Sequence, residues 1–300
     1  MGQSYSSRGI LPKDSTAIQT RQLRIGNKPV ILEHIDIDVA AGSLAIISGP
    51  TGSGKSTLLR AFLREVVPVQ GSISLSTRQI AYCAQKPWLP NGTIKEAIHG
   101  ATEIYSASDP DNKRWYHEVT DMCCPTLDFN SLPQRDMTRI GSGGLNLSGG
   151  QRQHVALARA IFAKCDILLL DDPFSGLDGE TEKTIFDNLF GGTGLTRRLK
   201  TTVVLVSNSS QYFQAVDHII FLGDRRITDQ GNWQDIKVKA ASLGKLSSIH
   251  HARGNAVLSA NSDELGDKLR AKDETEIDLA RQTGDPALYG NSLSHLYGCD

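Results

Sequence analysis

The stretch that most limits what this chain can become is the run Gly49, Pro50, Thr51, Gly52, Ser53, Gly54, Lys55, Ser56 and Thr57. Residues 43–48 before it are apolar and of strand length. Residues 57–65 after it repeat apolar positions at helical spacing and are good helix formers. A glycine-rich loop between a buried strand and a helix start is the setting that the phosphate-binding pattern G-x-x-x-x-G-K-[ST] requires. Gly49, Gly52 and Gly54 let the backbone curl so that successive N–H groups point inward at an anion. The helix start adds partial positive charge. Lys55 would reach the β- and γ-phosphates as a point charge, and the Ser56 hydroxyl would ligate Mg2+, a hard cation that prefers oxygen.

The 300 residues suffice for one large domain or two small ones, and 39% hydrophobic with 22% charged residues fits a globular chain with a sizeable core. Lys and Arg number 32 against 33 Asp and Glu, so the clustered basic excess of a nucleic-acid surface is missing and no nucleic-acid partner is expected. No apolar run approaches the roughly 20 residues that span a bilayer; the longest, 167–170 and 218–222, are of strand length. The start lacks the apolar core of a signal peptide. Gly2 with Ser6 matches the outline of a myristoylation pattern, but residues 1–15 read more simply as a flexible polar terminus. Cys83, Cys123, Cys124, Cys165 and Cys299 are odd in number, without paired metal spacing, and read as reduced thiols.

Strands are expected over 17–23 and 30–39, with turns at 26–29 and 41–42, and again over 71–75 and 79–83. The segment 88–150 changes character: helical patches at 93–98 and 112–122 mark a helical insert. A helix over 151–161, a buried strand at 167–170, a helix over 179–190 and strands at 202–207 and 218–222 follow, with a turn at Gly223-Asp224. Beyond 238, Ser, Ala, Gly, Asn, Asp and Lys dominate. One domain is thus expected over 16–238, then a linker over 239–300 with one short helix at 274–281.

Asp171 and Asp172 close the apolar run 167–170. The carboxyl end of a buried parallel strand is where ligands bind in open α/β sheets. Asp171 is placed to hold Mg2+. Strand alternation would turn Asp172 the other way, as a candidate to orient or deprotonate an attacking water. By itself an Asp pair reads as a solvated strand end; after a phosphate loop it reads as the metal-holding strand. Leu147, Ser148, Gly149, Gly150 and Gln151 open the next helix and form a second anion-binding helix start. A chain with two such sites binds two phosphates or lends one to a neighbour.

In this order the motifs resemble the nucleotide-binding domain of ATP-binding cassette (ABC) transporters, with Leu147–Gln151 similar to that family's signature motif. The resemblance implies an α/β fold with a P-loop NTPase sheet core, an antiparallel β subdomain and a helical insert. It implies ATP and Mg2+ as cofactors and a head-to-tail dimer, each ATP held between one domain's phosphate loop and the other's signature motif. Transmembrane domains of an exporter would be driven from the cytoplasmic face of a membrane. Gln85 matches the Q-loop glutamine, expected at Mg2+ and at the transmembrane contact. Ser175, Gly176, Leu177 and Asp178 match the D-loop that touches the opposite site. Residues 86–93 around Trp88, and 139–145, resemble the multidrug-resistance-protein-like C subfamily; Trp88 reads equally as an ordinary packed or surface aromatic. Residues 279–289 resemble the stretch leading into a second transmembrane domain.

Three positions depart from the family pattern. Its catalytic glutamate is here Asp172, one methylene shorter. Its switch histidine is here Asn208, which can bond a γ-phosphate but cannot carry the proton that His can. Its adenine-stacking aromatic is missing from 17–27, where Arg24 is the best substitute, since a guanidinium stacks on a π-face. Altered hydrolytic groups beside an intact signature resemble the first nucleotide-binding domain of a C-subfamily exporter, whose own site turns ATP over slowly. Two other readings stay open: a nucleotide-sensing regulatory domain without turnover, and a soluble ABC ATPase.

Overall fold

The computed structural model describes residues 15–100, 110–124 and 132–242. In chain order the elements are β1 (Thr16–Ile25), β2 (Leu32–Ala40), β3 (Leu44–Ser48), α1 (Lys55–Phe62), β4 (Gln70–Leu75), β5 (Ile80–Cys83), α2 (Ile94–His99) and α3 (Pro110–Cys123). They continue with α4 (Gly149–Phe162), β6 (Ile167–Asp171), α5 (Gly179–Phe190), α6 (Leu195–Arg198), β7 (Thr202–Val206), β8 (His218–Gly223), β9 (Arg226–Gly231) and α7 (Trp233–Ser242). The chain divides into two units, 1–238 and 239–300, and every described element lies in the first except the end of α7.

Every residue of β3, β6 and β7 is buried. Strands apolar on both faces belong in the middle of a parallel sheet. They sit there, in a six-stranded sheet of order β5-β6-β7-β3-β8-β9, parallel from β5 to β8 and closed by antiparallel β9. Strand alternation sends successive residues to opposite faces and so builds two cores. Leu44, Ile46, Leu168, Leu170, Val203 and Leu205 pack with residues of α2, α3, α4 and α5. Ala45, Ile47, Ile167, Leu169, Val204 and Val206 pack with Leu58, Leu59 and Phe62 of α1, and with a second sheet.

That second sheet is antiparallel, in the order β2-β1-β4. Its β1–β2 register shifts where Gln22 and His34 take left-handed backbone (φ 47° and 53°), as bulges do. The β8–β9 hairpin joins it to the main sheet: Arg226 pairs with Glu33 at 2.6 Å, and Gln230 Nε2 donates to the Asp36 carbonyl at 3.0 Å. On the helical side, Trp115 Nε1 donates to the Phe162 carbonyl at 3.0 Å and pins α3 to the end of α4.

The α/β class, the antiparallel region and the helical part agree with the sequence expectation. β9, α6 and α7 do not appear in it. Helix α7 runs to Ser242, past the expected domain boundary at 238. The N-terminal residues 1–14, the linker beyond 242 with its short helix, and the resemblance at 279–289 lie outside the described residues. No helix among the described residues is long and apolar enough to cross a membrane.

Leu169 is fully buried in the central strand β6, whereas Val67 is 61% exposed. Leu169→Ala is expected to cost about 2–5 kcal/mol of unfolding free energy in urea titration. Val67→Ala should stay within about 0.5 kcal/mol.

Candidate functional site

Four neighbouring strands, β5, β6, β7 and β3, run parallel and so end on one edge of the sheet. Their carboxyl ends deliver, in turn, the loop carrying Gln85, the pair Asp171 and Asp172, the pair Ser207 and Asn208, and the glycine-rich loop. Gln85, Asp171, Asp172, Ser207 and Asn208 line one cleft of about 300 Å³ with Thr51, Gly52, Gly54, Lys55, Ser56 and Thr57 of the loop, whereas Gly49, Pro50 and Ser53 are not part of that lining.

The loop needs its glycines at two places above all. Gly49 has φ 149°, and a Cβ there would overlap the Leu222 carbonyl oxygen. Gly54 has φ 99°, and a Cβ there would lie 2.8 Å from the Leu32 side chain. Gly54 caps α1 with left-handed backbone and no side-chain hydrogen bond. By contrast, α2, α4 and α5 are each capped by a side chain. Lys55 folds back over the loop, its Nζ donating to the carbonyls of Gly49 at 2.6 Å and Pro50 at 2.9 Å. Burial lowers the Lys55 pKa, and the charges of Asp172 and Asp171 oppose that shift.

Asp171 is 4% exposed. Ser56 Oγ donates to its Oδ1 at 3.0 Å, and the Tyr82 hydroxyl to its Oδ2 at 3.3 Å. Burial first, then the Asp171 charge, pushes the Tyr82 phenol above its usual pKa, so it stays a donor. Asp172 departs from expectation. Strand β6 ends at Asp171, so alternation no longer governs the next residue. Asp172 takes left-handed backbone (φ 51°), its N–H bonds to the Val206 carbonyl at 3.1 Å, and it lines the same cleft as Asp171. Gln85 Nε2 donates to Asp172 Oδ2 at 3.1 Å. Asn208 Oδ1 accepts from the Gly49 N–H at 3.3 Å.

The residues present fit a magnesium-bound polyphosphate. Ser56 Oγ and Asp171 Oδ1 are adjacent hard oxygens. The Lys55 ammonium and a helix start without a side-chain cap suit an anion.

Other expected residues lie elsewhere. Ser148 and Gln151 form a reciprocal capping box on α4, Ser148 Oγ accepting from the Gln151 N–H at 3.2 Å and Gln151 Oε1 from the Ser148 N–H at 2.9 Å. Asp178 caps α5, accepting from the Thr181 N–H at 2.9 Å. None of Ser148, Gly149, Gly150, Gln151 or Asp178 lines the cleft. Neither does Arg24, which lies on β1 opposite Gln70 with its Nε buried and without a hydrogen-bond partner among the described residues. From that side the cleft is lined by Ile31, 39% exposed, on the β1–β2 connection. Trp88, 69% exposed, sits instead on a groove of about 440 Å³ with Leu89, His99 and Arg159. Sequence reasoning missed Tyr82 and Ile31. Tyr82 shares the face of Asp171 through the β5–β6 register, which the local pattern of 79–83 does not give; nothing marked Ile31.

Because the Ser148 hydroxyl caps α4 and lies outside the cleft, Ser148→Ala should lower stability by about 1 kcal/mol. The affinity of the isolated chain for Mg-ATP should not change. Urea unfolding and nucleotide titration of the same variant check both halves.

Residues 32–175 match the sequence model of the family described as ABC transporter. The chain is 39% identical over 294 residues to an ABC-type transporter of Gibberella zeae, covering 92% of this chain and 19% of the relative. It is 38% identical over 250 residues to an ABC transporter of Glarea lozoyensis, covering 83% of this chain and 18% of the relative. It is 38% identical over 270 residues to ABC multidrug transporter B of Aspergillus fumigatus, covering 87% and 18%. The chain therefore spans about a fifth of the length of the relatives it matches. A family match that takes in the phosphate loop, Leu147–Gln151 and Asp171 alike, with identity running through most of the chain, makes this an ABC-transporter nucleotide-binding domain homologous to fungal ABC multidrug transporters.

Proposed function

We propose that this domain binds Mg-ATP in the cleft, closes head-to-tail on a second nucleotide-binding domain, and powers export through transmembrane domains, while turning ATP over slowly in its own cleft. The observation that carries this reading is the grouping of side chains. Lys55, Ser56 and Asp171, which suit a metal-bound triphosphate, lie in one cleft, and the two positions there that would drive hydrolysis hold Asp172 and Asn208. The signature residues Ser148–Gln151 lie outside that cleft, as expected if they complete a partner's site.

In this reading Lys55 would leave the carbonyls of Gly49 and Pro50 for the phosphates, and Ser56 with Asp171 would hold the metal. When bound, Mg2+ would supply neutralisation of phosphate charge. Asp172 would orient the attacking water, but its carboxylate stops one methylene short of where a glutamate's would lie. A misplacement of about 1 Å can cost on the order of 100-fold in rate. Gln85 also holds that carboxylate toward itself. Asn208 can donate to a γ-phosphate oxygen but has no proton to exchange near neutral pH. An intact signature beside these substitutions supports placement as the first nucleotide-binding domain of a C-subfamily exporter, at the cytoplasmic face of a membrane.

Asp172→Glu should raise the hydrolysis rate by at least about 10-fold, because it restores the carboxylate's reach. Adding Asn208→His should raise it further. Steady-state phosphate release checks this. A rate unchanged in both variants would show that something other than these side chains sets the turnover, and the slow-site reading would fall.

A further inference from the structure

A carboxylate that must show one oxygen to a metal needs its other oxygen held, because rotation about the Cβ–Cγ bond of aspartate is soft. The structure gives the Asp171 carboxylate two hydrogen bonds among the described residues. Ser56 on α1 donates to Oδ1, and Tyr82 on β5 donates to Oδ2. Ser56 belongs to the phosphate loop, whose Lys55 would turn from its own loop carbonyls to the phosphates in the proposed function. Tyr82 does not. It stands opposite Leu169 in the β5–β6 register, two residues before Asp171 on the same face. Its half-buried ring packs on the cluster formed by that face. The ring packs against the sheet, and its hydroxyl reaches the Asp171 carboxylate.

Packing alone does not call for that hydroxyl, since phenylalanine would fill the same space. We propose that Tyr82 is a positioning residue: by holding Asp171 Oδ2 it keeps Oδ1 turned to the cleft, and so sets the affinity for the divalent cation. The 3.3 Å separation is long for a hydroxyl–carboxylate bond. Such contacts are often long without ligand and tighten in the complex. Three residues on from Tyr82, Gln85 holds Asp172. One edge strand with its following loop therefore grips both acids, and a displacement of β5 would move the two carboxylates together.

The inference rests on reading Asp171 as the metal-facing carboxylate, and the experiment separates the two claims. Binding of Mn2+ to the full chain, loaded with a non-hydrolysable ATP analogue, is followed by electron paramagnetic resonance. Binding of the same analogue is also measured in EDTA. Tyr82→Phe is expected to weaken Mn2+ by about 10-fold, as loss of a hydrogen bond behind a metal ligand does, with the metal-free affinity unchanged. Unaltered Mn2+ affinity, or an equal loss in EDTA, overturns the positioning role. Asp171→Asn is the second variant, expected to abolish the metal-dependent gain. If it binds Mn2+ like the wild type, the metal-site reading itself fails, whatever Tyr82→Phe does.

Discussion

The hydrogen bond from Ser56 to Asp171 links residues 115 positions apart and joins the two halves of the cleft. It depends on the order of the sheet. Asp171 ends β6 and the phosphate loop leaves β3, yet β7 lies between these strands. The bond forms because α1 turns back from β3 and packs over β6 on the face built by Ile167, Leu169 and Val204. The apolar alternation of the central strands therefore does two jobs. It builds the core beneath α1, and it brings a hydroxyl and a carboxylate to 3.0 Å.

The remaining cleft groups are arranged around that contact by the same geometry. Parallel strands share a carboxyl edge, so Gln85, Asp172 and Asn208 arrive there from β5, β6 and β7 without long loops. Each is then tied to a neighbour: Gln85 to Asp172, Asn208 to the Gly49 N–H, Lys55 to its own loop. A site built this way suits holding a ligand. In the proposed function, hydrolysis would ask in addition for a base of the right length and a group that exchanges a proton, and Asp172 and Asn208 are the two side chains on which that proposal turns.

Much of this was legible in the sequence because local chemistry and global fold agree. The glycine loop between 43–48 and 57–65 could only be a strand, a tight anion-binding turn and a helix, and β3 and α1 are that. Asp171 was legible as a strand end after a buried run. Alternation would turn Asp172 away from Asp171, but the strand stops at Asp171 and the backbone turns left-handed, with the Asp172 N–H on the Val206 carbonyl, and no local pattern reveals this. Strand β9 escaped because Arg226–Gly231 holds one large apolar residue, Ile227; an edge strand needs few. Tyr82 escaped because its role depends on cross-strand register, and Ile31 because its approach to the loop is set by a connection between two sheets.

In the proposed function this cleft holds ATP and cleaves it slowly. The most direct measurement loads the purified chain with labelled Mg-ATP, removes free nucleotide and follows the bound label through a single turnover. ATP is expected to remain intact on the protein for many minutes. ADP appearing within seconds to a minute would show that Asp172 serves as the base despite its length, and would contradict that reading.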